Sequence, residues 1–181
     1  MKTLLLNKKQ FFITALIATV LSAFSCKKLD DLLTFNINIE NNFTVGASTP
    51  LNIPIDILTP GVATNSTQQF ENNNSNVNKV KDIKLKKADL QIVSPAGKTF
   101  SFVESIHIYI STNASDEIEL AYLDNISNTA SAISLIPTSA SLDPYVKAAS
   151  YSLRTKIVLK QALTQNVEIK NLCQFQVTAN L

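Results

Sequence analysis

The stretch VEIKNLCQFQVTA, residues 167 to 179, places apolar side chains at Val167, Ile169, Cys173, Phe175, Val177 and Ala179, with Asn171 alone breaking the parity. Successive side chains of an extended chain point to opposite faces, so a period of two held this long predicts a strand with one face in a core. Going back along the chain, Tyr151, Leu153, Thr155, Ile157 and Leu159 repeat the pattern, and Ile133 and Leu135 form a weaker run. Ile118, Leu120 and Tyr122 alternate with Glu117, Glu119 and Ala121. Phe100, Phe102, Ile106, Ile108 and Ile110 make another strand, in which Glu104 falls on the apolar parity. A bulge near Val103 would swing that carboxylate out. Leu90, Ile92 and Val93 lead into Ser94-Pro95-Ala96-Gly97, which has Ser, Pro and Gly where a type I turn favours them, and this predicts a hairpin to the Phe100 run.

Nearer the amino terminus, Leu51, Ile53, Ile55 and Ile57 share one parity, as do Phe35, Ile37, Ile39, Phe43 and Val45. Pro54 has no N–H for a ladder, which puts its strand at a sheet edge. Asp143-Pro144 has the form of a helix start, predicting one or two turns over Tyr145 to Ala149. Helical periodicity is otherwise almost absent. About eight strands separated by polar turns predict an all-β chain, an antiparallel β-sandwich of immunoglobulin-like or jelly-roll-like type after an N-terminal signal helix. Residues 63–80 read as a polar, asparagine-rich loop with a short helix near Gln68 to Glu71. Beyond the leader about 155 residues remain, enough for one core and one domain.

The leader is the second informative stretch. Lys2, Lys8 and Lys9 precede an uncharged apolar run from Phe11 to Phe24, the order of a secretory signal. As a helix that run would be about 21 Å long, too short to span a hydrocarbon core of about 30 Å. An uncleaved anchor could borrow Leu4, Leu5 and Leu6, but Lys8 and Lys9 interrupt the longer run. Ala23-Phe24-Ser25-Cys26 resembles a bacterial lipobox of the looser Bacteroidota kind, in which the leader is removed before a cysteine whose sulfur carries diacylglycerol. Lys27-Lys28-Leu29-Asp30-Asp31 is similar to the signal that sends such lipoproteins to the outer face of the outer membrane. The region beyond resembles Bacteroidota lipoproteins with immunoglobulin-like sandwich domains, through Phe100 to Ile110 and the alternating last strand. The resemblance implies a signal peptide at 1–25, a lipidated Cys26 with a tether at 26–32, a sandwich at 33–181, and an outer-membrane lipoprotein on the cell-surface or periplasmic face. Acyl chains at Cys26 suffice for anchoring, since two chains bind a bilayer stably. With Cys26 in a thioether, Cys173 has no disulfide partner and is expected to act as a small buried hydrophobe.

Composition narrows the chemistry. The whole chain has a formal charge of +2, and losing Lys2, Lys8 and Lys9 with the leader leaves −1, so the basic pI belongs largely to the leader. Lys79, Lys81, Lys84, Lys86 and Lys87 are the one basic cluster, with Asp82 and Asp89 inside it. These read as the charged guard of a strand edge and not as a nucleic-acid footprint. His107 is the only histidine, on a strand face with Ser105, Tyr109 and Ser111, and reads as a surface residue; a Ser-His pair would need an acid from elsewhere. Gly46, Gly61 and Gly97 make no phosphate loop, and no zinc spacing exists, so no cofactor or metal is expected. Asn113, Ser115, Asp116, Glu117 and Asp124 could supply oxygens to calcium but are also ordinary turn residues. Tyr122 and Tyr151 sit on apolar parities and are assigned to the core, which leaves Tyr109 and Tyr145 as ligand-binding candidates. The expected function is a membrane-anchored, non-catalytic lipoprotein serving as a structural or protein-interaction module. The alternative is a glycan-binding accessory lipoprotein of a polysaccharide-uptake system.

Overall fold

In the computed structural model the described residues are 34–127 and 129–179; the leader, Cys26 and the tether lie outside them. Eight strands form: β1 (Thr34–Val45), β2 (Pro54–Ala63), β3 (Val80–Ser94), β4 (Val103–Ser111), β5 (Ile118–Leu123), β6 (Ala132–Pro137), β7 (Ser150–Leu159) and β8 (Val167–Ala179). Two short helices join them, α1 (Ser66–Asn72) and α2 (Asp143–Lys147).

The strands are antiparallel and lie in the order β1-β8-β3-β6-β5-β4-β7-β2. First pairs with last, second with seventh, third with sixth, and fourth with fifth. That nesting is one long hairpin of strand pairs rolled on itself, the topology of a jelly roll and not of an immunoglobulin domain. The roll makes two layers, β1-β8-β3-β6 and β5-β4-β7-β2. Short β6 is the seam between them, pairing with β3 from Ala88↔Leu135 to Gln91↔Ala132 and with β5 through Ala121↔Pro137 and Tyr122↔Ile136.

The core fills the gap between layers with the inward parities read from the sequence. Val167, Ile169, Cys173, Phe175 and Val177 of β8 face Leu153, Ile157 and Leu159 of β7 and Ile106, Ile108 and Ile110 of β4, all buried. Burying each such side chain contributes about 1.5–3 kcal/mol, which is what fixes strand register. Asn171 keeps the inward position at 1% exposure because its amide donates to Asn41 Oδ1 at 2.9 Å and its Oδ1 accepts from the Cys173 thiol at 3.6 Å. The bulge expected near Val103 is present as a register shift between Val103 and Ser105, and Pro54 does lie in an edge strand.

Other expectations change. β3 and β4 are not a hairpin: β3 pairs with β8 and β6, β4 with β7 and β5, so the segment between them crosses from one layer to the other. The crossing is anchored by Phe100 and Phe102 of a single 3-10 turn, both buried with stacked rings 6.4 Å apart. The turn itself sits one residue later than a type I turn at Ser94 would. Lys98 N–H donates to the Pro95 carbonyl, and Gly97 has φ +74°, the positive value that type II requires at its third position. Asp143 does not cap its own helix but accepts from Ile83 N–H of β3 at 3.0 Å. The 63–80 loop holds α1, whose Phe70 is fully buried.

Both open edges are protected. β2 carries Pro54 and Pro60, with a bulge between Thr59 and Val62 where Gly61 takes φ +67°. On β1, Gln69 of α1 reaches across so that its Oε1 accepts from Asn38 N–H at 3.2 Å, while Phe70 meets Phe35 edge-on at 6.2 Å. Replacing Phe70 by alanine is expected to cost about 3–5 kcal/mol in chemical denaturation. Gln69→Ala should cost about 1 kcal/mol yet promote self-association, read by sedimentation, because it frees an edge N–H. Equal destabilisation by the two would show that α1 is not the cover of β1.

Candidate functional site

The outer face of the β5-β4-β7-β2 layer gathers most of the groups able to do chemistry. Strand register sets two rows across it. One holds Leu58, Arg154, Tyr109 and Glu119; the other holds Asp56, Lys156, His107, Tyr122 and Ile136. Outward positions on the strands, at a period of two, carry these side chains, and antiparallel pairing brings opposite charges level.

Arg154 organises the first row. Its Nε and one terminal nitrogen bind both oxygens of Glu117 at 2.9 and 2.6 Å, and the other terminal nitrogen donates to Asp56 Oδ1 at 2.7 Å. Its guanidinium carbon lies 4.1 Å from the centre of the Tyr109 ring, and Lys156 Nζ lies 5.5 Å from it. The bidentate hydrogen bond from Arg154 holds the Glu117 carboxyl below its ordinary pKa, and the same bond keeps Arg154 protonated. Desolvation, then the Glu119 charge, pushes the Tyr109 phenol upward.

His107 organises the second row. Its Nδ1 is 2.6 Å from Glu119 Oε1, its Nε2 is 3.0 Å from Asp124 Oδ1, and its ring stacks on Tyr122 at 5.7 Å. Partial burial pulls its pKa down, but the hydrogen bonds to Glu119 and Asp124, with their charge, outweigh this and raise it above 6.5. The acid that a Ser-His pair would need is therefore present twice over. Both ring nitrogens are spent on carboxylates, which leaves neither turned to a hydroxyl or thiol.

Tyr122 reaches this face against its parity. Glu119 pairs with Tyr109 but Ala121 pairs with Ile108, so Leu120 is an extra residue; Leu120 and Ala121 both turn inward and Tyr122 is flipped out. Of the two tyrosines expected to meet a ligand, Tyr109 is on the face but carries Arg154 on its ring. Tyr145 is buried at 6% exposure, its hydroxyl donating to the Asp116 carbonyl at 2.6 Å. Tyr151 is core, as expected, with a buried hydroxyl that lacks a partner among the described residues.

The loop that offers oxygens for calcium closes on itself. Asp116 accepts from the backbone of Thr112 and Asn113 at 2.9 and 3.0 Å and from the Thr112 hydroxyl, and Asn113 Oδ1 accepts from Ser115. Those bonds, the Thr112 hydroxyl first, hold the Asp116 carboxyl below its ordinary range. Among the described residues no group of three metal-ligating side chains converges. Cys173 is a free buried thiol, its pKa pushed up to about 12 by burial. On the opposite layer two open depressions of about 250 and 610 Å³ share Lys87, Asp89 and Leu172, with Ser134 donating to Asp89 at 2.7 Å.

The Lys81–Lys87 run does not guard an edge strand, because β3 lies between β8 and β6. β6 is too short to reach its first half, though, and α2 covers that side through Leu142 N–H, which donates to the Ile83 carbonyl. Sequence reasoning missed Arg154 and Lys156 altogether. Their signal was the alternation of basic residues on β7 with the acids Glu117 and Glu119 near β5, which becomes meaningful only when β4 is known to lie between.

No protein-family model and no curated protein matches the chain. Among solved structures it is similar to one of desmodium yellow mottle tymovirus, at 11% identity and a TM-score of 0.29 over 81% of this chain and 84% of that one. The decameric BFDV capsid protein matches at 9% identity and a TM-score of 0.34, covering 80% of this chain and 99% of that one. A turnip yellow mosaic virus structure matches at 10% identity and a TM-score of 0.28, covering 81% and 95%. Likeness of this degree says nothing about function.

His107 makes a clean pH probe because it is the chain's one histidine. A pKa raised in the folded state stabilises the fold fully below the unfolded value of about 6.5, and that stabilisation fades as pH rises through the folded value. The difference in unfolding free energy between the native protein and His107→Gln should therefore be largest under acid conditions and shrink above neutrality. The imidazole NMR titration midpoint should lie above 6.5. A midpoint at or below that value would remove the two-carboxylate clamp.

Proposed function

We propose that the chain is a membrane-anchored, non-catalytic lipoprotein whose jelly-roll domain binds a protein partner through the outer face of β5-β4-β7-β2. One observation carries the binding part: the strongest groups on that face are already paired with one another, Arg154 with Glu117 and Asp56, His107 with Glu119 and Asp124. Catalysis needs a group left unsatisfied and aimed at a reacting atom, whereas recognition works well with a rigid, pre-ordered surface. Leu58, 71% exposed, stands beside Arg154, which in turn lies against Tyr109, and Ile136 stands beside Tyr122. Tyrosine and arginine are the residue types enriched at interface hot spots. The anchoring part is supported by the apolar leader that ends at Ser25-Cys26.

A glycan-binding role would have to rest on Tyr109 and Tyr122, whose rings already carry Arg154 and His107, since Tyr145 is buried and its ring gives no platform. The protein-binding role draws on both rows.

Cells fed radioactive palmitate should label the native protein and not Cys26→Ala; equal label in both, or none in either, would end the anchoring proposal. A photo-crosslinker placed on the face at Ser105 should capture a discrete protein on intact cells, and Leu58→Lys should abolish capture without changing the circular dichroism. Ester, peptide or glycoside hydrolysis by the purified protein that His107→Ala abolished would show an enzyme instead.

A further inference from the structure

Charge on the outer face of β1-β8-β3-β6 is sorted along the strands. Where β3 begins, Lys81 pairs with Thr178 and Lys84 with Gln176, so Lys79, Lys81, Lys84 and Lys86, all exposed, lie beside neutral side chains. None of the four makes an ion pair among the described residues, and Asp82 is the acid within the run. Farther along the same face the acids are matched: Lys170 holds Glu40 at 2.6 Å and Lys87 holds Asp89.

The lysine-bearing end is also where the described chain starts. Asn38 accepts from Gln174 and Asn41 from Asn171, so β1 runs against β8 and begins at the end of β8 that carries Thr178. Residues 27 to 33 connect Cys26 to Thr34, eight residue steps and a reach of at most about 29 Å when fully extended. A lipid held at Cys26 therefore limits how far this end of the roll can stand from the bilayer, while Ser94 lies at the opposite end of the 15-residue β3.

We propose that the end of the roll carrying Lys79, Lys81, Lys84 and Lys86 rests on an anionic lipid surface and orients the domain on the leaflet that holds Cys26. This rests on the lipid anchor proposed above. Each lysine near an anionic surface raises partitioning about five-fold, within a screening length of about 8 Å at physiological salt. Lys79 and Lys81 meet that condition at the strand end. Lys84 and Lys86 lie about 10–17 Å along β3 and meet it only when the outer face leans onto the headgroups. The tether makes the encounter intramolecular, so weak attraction suffices to set orientation.

The test uses the full lipoprotein in phosphatidylcholine vesicles with or without about 30 mol% phosphatidylglycerol. A fluorophore is placed at Asn78→Cys, beside the lysines, or at Ala96→Cys, at the far end of β3; Cys173 is buried and is not labelled. Quenching by a headgroup-borne quencher should favour the Asn78 site over the Ala96 site by at least about three-fold more on anionic than on neutral vesicles. That excess should vanish in about 0.5 M NaCl. It should also vanish when the four lysines become glutamine, a surface change that leaves circular dichroism unaltered. A site ratio indifferent to lipid charge overturns the orientation while leaving the anchor intact. Protein that fails to float with either vesicle, or Cys26→Ala that floats equally well, overturns the anchor and the orientation together.

Discussion

The ladder between β3 and β8, from Val80↔Ala179 to Ser94↔Glu168, holds the longest strands of the domain in register, and β8 carries β1 on its other side. A slip of one residue along β8 would turn Ile169, Phe175 and Val177 to water and bring Lys170 and Gln176 inside, and β1 would move with it. β8 keeps its alternation nearly unbroken, so β3 does the adjusting. Its register shifts between Lys81 and Lys84 and again between Leu85 and Lys87, the first with Asp82 in the left-handed region at φ +51°. Those bulges are why Val80, Ile83, Leu85, Ala88, Leu90 and Ile92 all reach the core although their spacing is irregular.

Eight strands, an all-β class and an antiparallel sandwich were legible because a strand half in water must alternate, and this chain alternates almost everywhere. Partner choice was not legible. Ser94-Pro95-Ala96-Gly97 has turn residues, but whether a turn closes a hairpin or crosses between layers depends on which strand lies alongside β3, and that strand is β8, far away in sequence. Nor could sequence locate the extra residue at Leu120, because Leu120 and Ala121 each suit an inward position; yet that residue decides that Tyr122 stacks on His107. Tyr145 failed as a surface aromatic for a similar reason. Its short helix packs on the first half of β3, where β6 ends too soon to supply a neighbour.

The outer face of β5-β4-β7-β2 shows how little of a charged surface has to be stabilising for it to be ordered. Single exposed ion pairs contribute about 0–1 kcal/mol. Arg154 differs in being pinned by two carboxylates on different segments and by a ring beneath it, so that its planar fork has one arrangement. His107 is fixed likewise from both nitrogens. A surface whose side chains are immobilised before any encounter loses less rotamer freedom when something docks on it.

Because the first strand lies beside the last, the roll has a particular order of assembly. During synthesis β1 emerges with no neighbour and stays without one until β8 has followed it, so the layer they share is completed only when the chain is nearly finished. The inner pair, β4 with β5, can close as soon as both strands have emerged, so the nest is built from its middle outward. Nested pairing thus delays completion of that layer until β8 is made, and the same delay leaves the edge of β1 without its strand partner in the meantime.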